Sequence, residues 1–262
     1  MALPHLRQGS GEPLVLLHAT GMARRSWSPV LAGLAAQRDV IAPDLPGFGE
    51  APELAGDPSP RALAHSVAAL LDDLGIPDAH AAGCSLGGWV SLELARLGRA
   101  RSVTALSPSG FWNEREAAFC RRSLAATRAI ATVIRPVAPI VLGSAVGRTV
   151  AGYQTMQHPW RMPAEDFQAA FAVVADSPGH RAASIAQTAR RFEAPGEIDV
   201  PVTIAWAQHD RLLIPRQADR ARRAFPAGRH LTLEGCGHVP FYDDPEQVAR
   251  VLLEGSAPAG GG

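Results

Sequence analysis

Ser85 lies at the centre of a Gly-x-Ser-x-Gly pattern, in the segment AAGCSLGGWV that covers residues 81–90. A serine on a sharp turn from strand to helix needs neighbours without bulk, because the turn brings the flanking backbone into close contact. Gly83 and Gly87 meet that need. N–H groups at the start of the following helix favour negative charge near the hydroxyl. The pattern predicts a nucleophilic serine, but it is short and needs partners elsewhere in the chain.

A nucleophilic serine requires a base, and the base requires an acid that orients it. His238 lies in the loop GCGHVPFYDDP after the last predicted strand, whereas His230 falls inside that strand. Asp210 follows another predicted strand, 125 residues after Ser85 and 28 before His238. Some catalytic triads that are built on a parallel sheet occur in the chain order Ser, Asp, His. We therefore expect Ser85, Asp210 and His238 to act together.

The elements that must position these residues alternate between strand and helix. Short apolar runs predict strands, and amphipathic runs with capping residues predict the helices between them. Such repeated units imply a parallel sheet with helices on both faces, and functional residues then lie at the carboxyl ends of the strands. The strand-like segments are PLVLLHATG, with its continuous apolar stretch at Leu14 to Leu17, DVIAPDLPGFG, which ends in a turn, DAHAAGCS, RSVTALSP, VPVTIAWAQHD and RHLTLEG.

The alternation stops after residue 110 and resumes near residue 196. Residues 111–195 contain several helix-like stretches and six prolines, and they contain no convincing strand. The sequence thus predicts an α/β core over 1–110 and 196–255, with a helical cap over 111–195. Residues 256–262, SAPAGGG, are expected to form a flexible tail.

Composition limits the classes of partner. The 262 residues are 47% hydrophobic with a formal net charge of zero and no long run of one sign, which argues against nucleic acid or a membrane surface and favours a small molecule. All 25 basic residues are arginine, which excludes a Schiff-base lysine, a Ser-Lys dyad and a Walker-type phosphate loop.

The cysteines and the apolar runs limit the compartment. Three cysteines without close pairs imply neither a disulfide framework nor a metal site. The first residues lack the apolar region of a signal peptide, and no stretch approaches about 18 uninterrupted apolar residues. We expect a cytoplasmic protein without a metal or organic cofactor, of undetermined oligomeric state.

Five segments together resemble the α/β-hydrolase superfamily, in its single-domain, cap-bearing branch: LLHATG, DLPGFGEA, GCSLGG, HDRLLIP and GCGHVPFYDDPEQVA. The resemblance covers nearly the whole chain outside 111–195. It implies a mostly parallel sheet of about seven strands, with Ser85 on a nucleophile elbow. It also implies an oxyanion hole made by the backbone N–H groups of Leu86 and Thr20. One residue departs from the pattern: Ala19 follows His18 where such enzymes usually carry glycine, and alanine resists positive φ.

The function expected from this constellation is that of a serine hydrolase acting on a small-molecule ester through an acyl-enzyme. Ser85 attacks the carbonyl, His238 takes its proton, and Asp210 orients the imidazole. The other polar residues near these motifs are expected to be structural or to support the site from behind; they are His18, Asp44, Cys84, His209 and Cys236.

The cap is expected to determine which substrate the protein accepts. Its large apolar side chains either pack the cap or line the site; those expected to contact substrate are Phe111, Trp112, Met156 and Trp160. Residues 111–195 hold ten arginines against six acids, so a cap arginine could instead hold the carboxylate of an acidic substrate. A C–C bond hydrolase or enol-lactonase is therefore the main alternative. A cofactor-free haloperoxidase or perhydrolase and a ligand receptor without turnover also remain open.

Overall fold

Seven strands form one sheet in the computed structural model, which describes residues 3–193 and 195–257. The spatial order is β1-β3-β2-β4-β5-β6-β7. Only β1 runs antiparallel, against β3, within the described residues. The mostly parallel seven-stranded sheet expected from the sequence is confirmed. The strands are His5–Gln8 (β1), Pro13–Leu17 (β2), Asp39–Pro43 (β3), Ala79–Cys84 (β4), Ala100–Leu106 (β5), Val202–Ala207 (β6) and Arg229–Leu233 (β7).

Helices cover both faces of the sheet, because the inner strands are apolar on both sides. In β2, Val15 and Leu17 enter one core while Leu14 and Leu16 enter the other, as the period of two requires. β4 is buried along its whole length. The helices of the core are Ser28–Ala35 (α1), Pro60–Asp73 (α2), Leu86–Arg96 (α3), Arg216–Ala224 (α9) and Pro245–Gly255 (α10).

Local signals fix the ends of these helices. Ser59 Oγ accepts a hydrogen bond from the N–H of Ala62 at 3.3 Å, and Pro60 occupies the first position of α2. Near residue 256, buried Ser256 accepts hydrogen bonds from the Arg38 side chain at both its Oγ and its carbonyl. The packed chain therefore extends past α10 to Ser256, and residues 258–262 of the expected tail lie outside the described residues.

Five helices follow one another between β5 and β6: Glu114–Ile134 (α4), Ala138–Gly143 (α5), Ala145–Gly152 (α6), Ala164–Asp176 (α7) and His180–Thr188 (α8). Asn113 and Glu116 form a capping box, in which each side chain accepts from the other's backbone N–H. Because β5 ends beside the elbow of Ser85, the inserted helices leave the sheet next to that residue.

One helical stretch, Glu114–Gly143, is long and apolar enough to cross a membrane by length and composition. Only 11% of its most apolar 18-residue window is buried inside the protein. Arg128 and Arg135 interrupt the apolar run, which is why no uninterrupted span is visible in the sequence.

Candidate active site

Ser85 occupies the turn between β4 and α3 with φ 54° and ψ −114°, a backbone conformation that residues other than glycine rarely adopt. A Cβ on Gly83 would lie 2.2 Å from the carbonyl oxygen of Gly87. A Cβ on Gly87 would lie 1.9 Å from that of Leu17. The carbonyl of Ser85 accepts from the N–H of Ser109 at 3.0 Å, which holds the turn from behind. Both glycines are therefore needed for the elbow to form.

Asp210 and His238 meet through a hydrogen bond between Asp210 Oδ2 and His238 Nδ1 at 2.7 Å. The other carboxylate oxygen of Asp210 accepts from the N–H groups of Leu212 and Leu213. Both partners are buried. With Nδ1 bound to the carboxylate, the imidazole presents Nε2 as a proton acceptor. This is the arrangement that a general base requires.

Ser85 and His238 line one cavity of about 130 Å³ between the sheet and the inserted helices. We call it the Ser85 cavity. Within the described ranges 3–193 and 195–257, no arginine, aspartate or glutamate lines it. Its larger apolar side chains are Leu124, Met156, Met162, Phe167, Phe171 and Val174. The polar ones include Thr20, Gln154, Gln187 and His180. The space beside Ser85 is therefore apolar and uncharged.

The loop after β2 brings Thr20 to the wall of the cavity. The N–H of Met22 donates to the carbonyl of Ala19 at 3.1 Å, and Gly21 takes the positive φ of 76° in this turn. Ala19 is not among the described residues with positive φ, so this turn does not require a glycine directly after His18. Gln187 Nε2 on α8 donates to Thr20 Oγ1 at 2.7 Å and fixes that side chain. Leu86, the other expected oxyanion donor, opens α3 immediately after Ser85.

His18 and Asp44 hold neighbouring loops together. His18 Nε2 accepts from the N–H of Leu45 at 2.9 Å, and its Nδ1 lies 2.9 Å from the carbonyl of Ala19. Burial lowers the pKa of His18, so the ring is neutral. Asp44 accepts from the backbone N–H groups of Arg24 and Glu50 and pairs with the Arg24 guanidinium. These contacts are structural, as the sequence suggested.

Three of the four expected substrate contacts lie elsewhere. Trp112 packs edge-on against Trp89 and donates its indole N–H to the carbonyl of Arg190. Phe111 packs with other phenylalanines of the core. Trp160 is partly exposed beside His158. Only Met156 lines the cavity. The correction has a simple cause: large apolar residues in an insertion pack wherever a core or a neighbour is available, and their sequence positions do not say which.

Asp243 ties the His238 loop to the cap. Its buried carboxylate accepts from three backbone N–H groups, those of Gln157, His158 and Gly237, at 2.6–2.9 Å. The N–H of Val239 also donates to the carbonyl of Thr155. The loop that carries the base is therefore held by the segment between α6 and α7. Sequence reasoning missed this role; the only signal was an acidic residue five positions after His238.

His180, at the start of α8, also escaped notice in the sequence. It lines the cavity and packs against Phe48. Burial, and next the charge of Arg128, lower its pKa from 6.5 to about 4. The ring is thus neutral at physiological pH and can accept or donate one hydrogen bond to a ligand in the cavity.

This shift predicts a pH dependence of stability. Between about pH 6.5 and 4 the unfolded chain binds a proton that folded His180 does not, so the free energy of unfolding falls as the pH is lowered. Between pH 7 and 4.5 the free energy of unfolding, measured with urea, should fall by about 2–3 kcal/mol more in wild type than in His180→Gln. His65→Gln, at an exposed position of α2, is the control and should behave like wild type. Equal pH dependence of wild type and His180→Gln would contradict the assignment.

Comparison with known proteins decides the family. A sequence profile of the alpha/beta hydrolase family matches residues 14–251, which is most of the chain. The chain belongs to the α/β-hydrolase family. The epoxide hydrolase EphH of Mycobacterium tuberculosis is 30% identical to this α/β hydrolase over 74% of this chain and 93% of its own. An uncharacterised protein of the same organism is also 30% identical, over 93% of this chain and 75% of its own.

A solved structure of a thermophilic esterase from Thermogutta terrifontis superimposes with a TM-score of 0.75. It is 22% identical and covers 96% of this chain and 92% of its own. At that identity the likeness establishes the shared fold. The family supports a hydrolase, and the relatives differ in the bond they cleave. The choice of substrate therefore has to be argued from the Ser85 cavity itself.

Proposed function

We propose that this α/β hydrolase cleaves neutral, apolar small-molecule esters through an acyl-enzyme on Ser85. The observation that carries the proposal is the composition of the Ser85 cavity. It contains the elbow serine and the carboxylate-bound His238, and none of its described lining residues is an arginine or an acid. An ester carbonyl with an apolar acyl chain fits these walls without leaving a charge unpaired.

The proposed reaction uses three side chains. Ser85 Oγ attacks the ester carbonyl while His238 Nε2 takes the hydroxyl proton. Asp210 stabilises the imidazolium through the 2.7 Å hydrogen bond to Nδ1. The N–H groups of Leu86 and Thr20 are the proposed donors to the oxyanion. His238 then protonates the leaving alcohol, and a water molecule, deprotonated by the same imidazole, releases the acid and restores Ser85.

The alternative with an acidic substrate needs a cation inside the cavity. No cap arginine among the described residues lines the cavity: Arg148, for example, donates to the carbonyls of Leu142 and Gly143, and Arg135 pairs with Asp176 on the surface. A carboxylate buried in the Ser85 cavity would lack a charged partner and lose its hydration. The excess of cap arginines therefore gives no support to a C–C hydrolase or lactonase of acidic substrates.

Two nitrophenyl esters of equal chain length test this proposal: the valerate and the hydrogen glutarate, which differ by a terminal carboxylate. We expect kcat/KM for the valerate to be larger by about 100-fold or more, because burying an unpaired carboxylate costs several kcal/mol. Ser85→Ala measures the background. Preference for the glutarate would favour the acidic-substrate alternative. Turnover of both esters at the Ser85→Ala background would favour a ligand receptor.

A further inference from the structure

A wide apolar surface covers the outside of the inserted helices. From the end of α4 through the following turn into α5, exposed apolar residues recur at spacings of three and four, at positions 130, 133, 137 and 140. Val133 is 77% exposed and Ile140 is 80% exposed. We call this surface the cap face; it consists of Ile130, Val133, Val137, Ile140, Val141, Val146, Val150 and Tyr153. Single exposed apolar residues are common, but eight of them between positions 130 and 153 mark an interaction surface.

The cap face belongs to the helical stretch Glu114–Gly143 that is apolar enough to cross a membrane. A core helix of that composition would be mostly buried, yet 89% of its most apolar window, the complement of the buried 11%, is not. The opposite side of α4 is occupied: Leu124 and Thr127 line the Ser85 cavity, and α4 packs on α7 and α8. The stretch therefore cannot leave the fold to span a bilayer, but its outer side can lie on one.

The segment of chain that carries the cap face has charges of one sign. Residues 117–164 contain six arginines and no aspartate or glutamate. Of these arginines, only Arg135 pairs with an acid, Asp176, among the described residues. Arg121 and Arg122 are exposed on the same helix, about two turns before Ile130. The net charge of zero is an average over the whole chain and hides this local excess. Aliphatic side chains bordered by unpaired arginines are the composition of helices that lie on anionic lipid.

We propose that the cap face docks on the surface of an anionic lipid bilayer. A second copy of the chain fits the charges poorly, because a two-fold interface would place the same arginines opposite one another, and residues 117–164 supply no acid to pair with them. Since α4 and α6 also line the Ser85 cavity, docking places the cavity next to the lipid. The docking does not depend on the reaction proposed above, and it is measured without turnover.

Vesicle flotation with the Ser85→Ala protein tests the proposal. Vesicles of equal phosphatidylcholine and phosphatidylglycerol should carry the protein upward, and pure phosphatidylcholine vesicles should bind it at least tenfold more weakly. The variant Val133→Asp/Ile140→Asp should lower the partition coefficient at least tenfold, since both sites are exposed and tolerate a charge in the folded monomer. Ala227→Asp adds a charge at the exposed amino end of β7, away from the cap, and should bind like the parent.

Each result bears on the proposal. Parent-like flotation of the double variant, or no flotation with either lipid, would overturn it, provided that circular dichroism shows the proteins folded. Light scattering is run in parallel. A dimer that dissociates in the double variant, without vesicle binding by the parent, would also overturn it and assign the cap face to a second copy. The proposal is supported if flotation is lost at high salt and if, of the two variants, only the double variant fails to float.

Discussion

Ser85→Ala is expected to lower kcat/KM for an activated ester by at least about 10³-fold, and His238→Ala by a similar factor. In the proposed mechanism the hydroxyl and the imidazole act as one unit, because neither can form the acyl-enzyme without the other. The matched control is His230→Ala. His230 lies in β7 and does not line the Ser85 cavity. Its Nε2 contacts the carbonyl of Phe225 instead. That variant should retain most of the activity.

A fluorophosphonate probe separates loss of the nucleophile from loss of the fold. The probe should label wild type and His230→Ala on the peptide that contains Ser85, and leave Ser85→Ala unmodified. The neighbouring Cys84 is a poor competitor, because burial raises the pKa of its thiol and keeps it protonated. Labelling that persists at the same rate in Ser85→Ala would mean that another residue is the nucleophile.

Gly87→Ala is expected to lower the free energy of unfolding by about 3 kcal/mol or more and to abolish labelling of Ser85. The added Cβ would meet the carbonyl oxygens of Leu17 and His18 at 1.9 and 2.7 Å. These are backbone atoms of β2 and the loop that follows it, and Leu17 is paired with Gly83 in the sheet. The clash can be relieved only by moving β2 or the elbow. Urea unfolding and the labelling rate measure the two effects.

Gly143→Ala is the control for the effect of adding a methyl group. A Cβ at Gly143, at the end of α5, would meet no heavy atom within 4 Å. We expect a change within about 0.5 kcal/mol and an unchanged labelling rate. If Gly87→Ala behaved like Gly143→Ala in both measurements, the close approach between the elbow and β2 would not be a constraint on the fold.

Local chemistry made much of the fold predictable from the sequence. The apolar runs of β2 and β6, the Ser59 cap with Pro60, and the glycines around Ser85 each act over a few residues, so their meaning survives without tertiary context. The same applies to the shift from alternating strands and helices to the inserted helices after residue 110. A sheet with parallel strands then had to bring Ser85 and Asp210 to one edge, since both follow strands at their carboxyl ends.

The sequence by itself determined the α/β sheet and indicated which residues could do the chemistry. Only the tertiary structure decided what surrounds them. Phe111 and Trp112 pack into the core while Met156 lines the cavity, because side chains of similar hydrophobicity fill whichever space the folded chain offers. The cap arginines likewise lie outside the cavity and leave it uncharged: Arg148 donates to carbonyls and Arg135 pairs with a surface acid. Burial and pairing depend on contacts between segments far apart in the chain, and no local pattern specifies them.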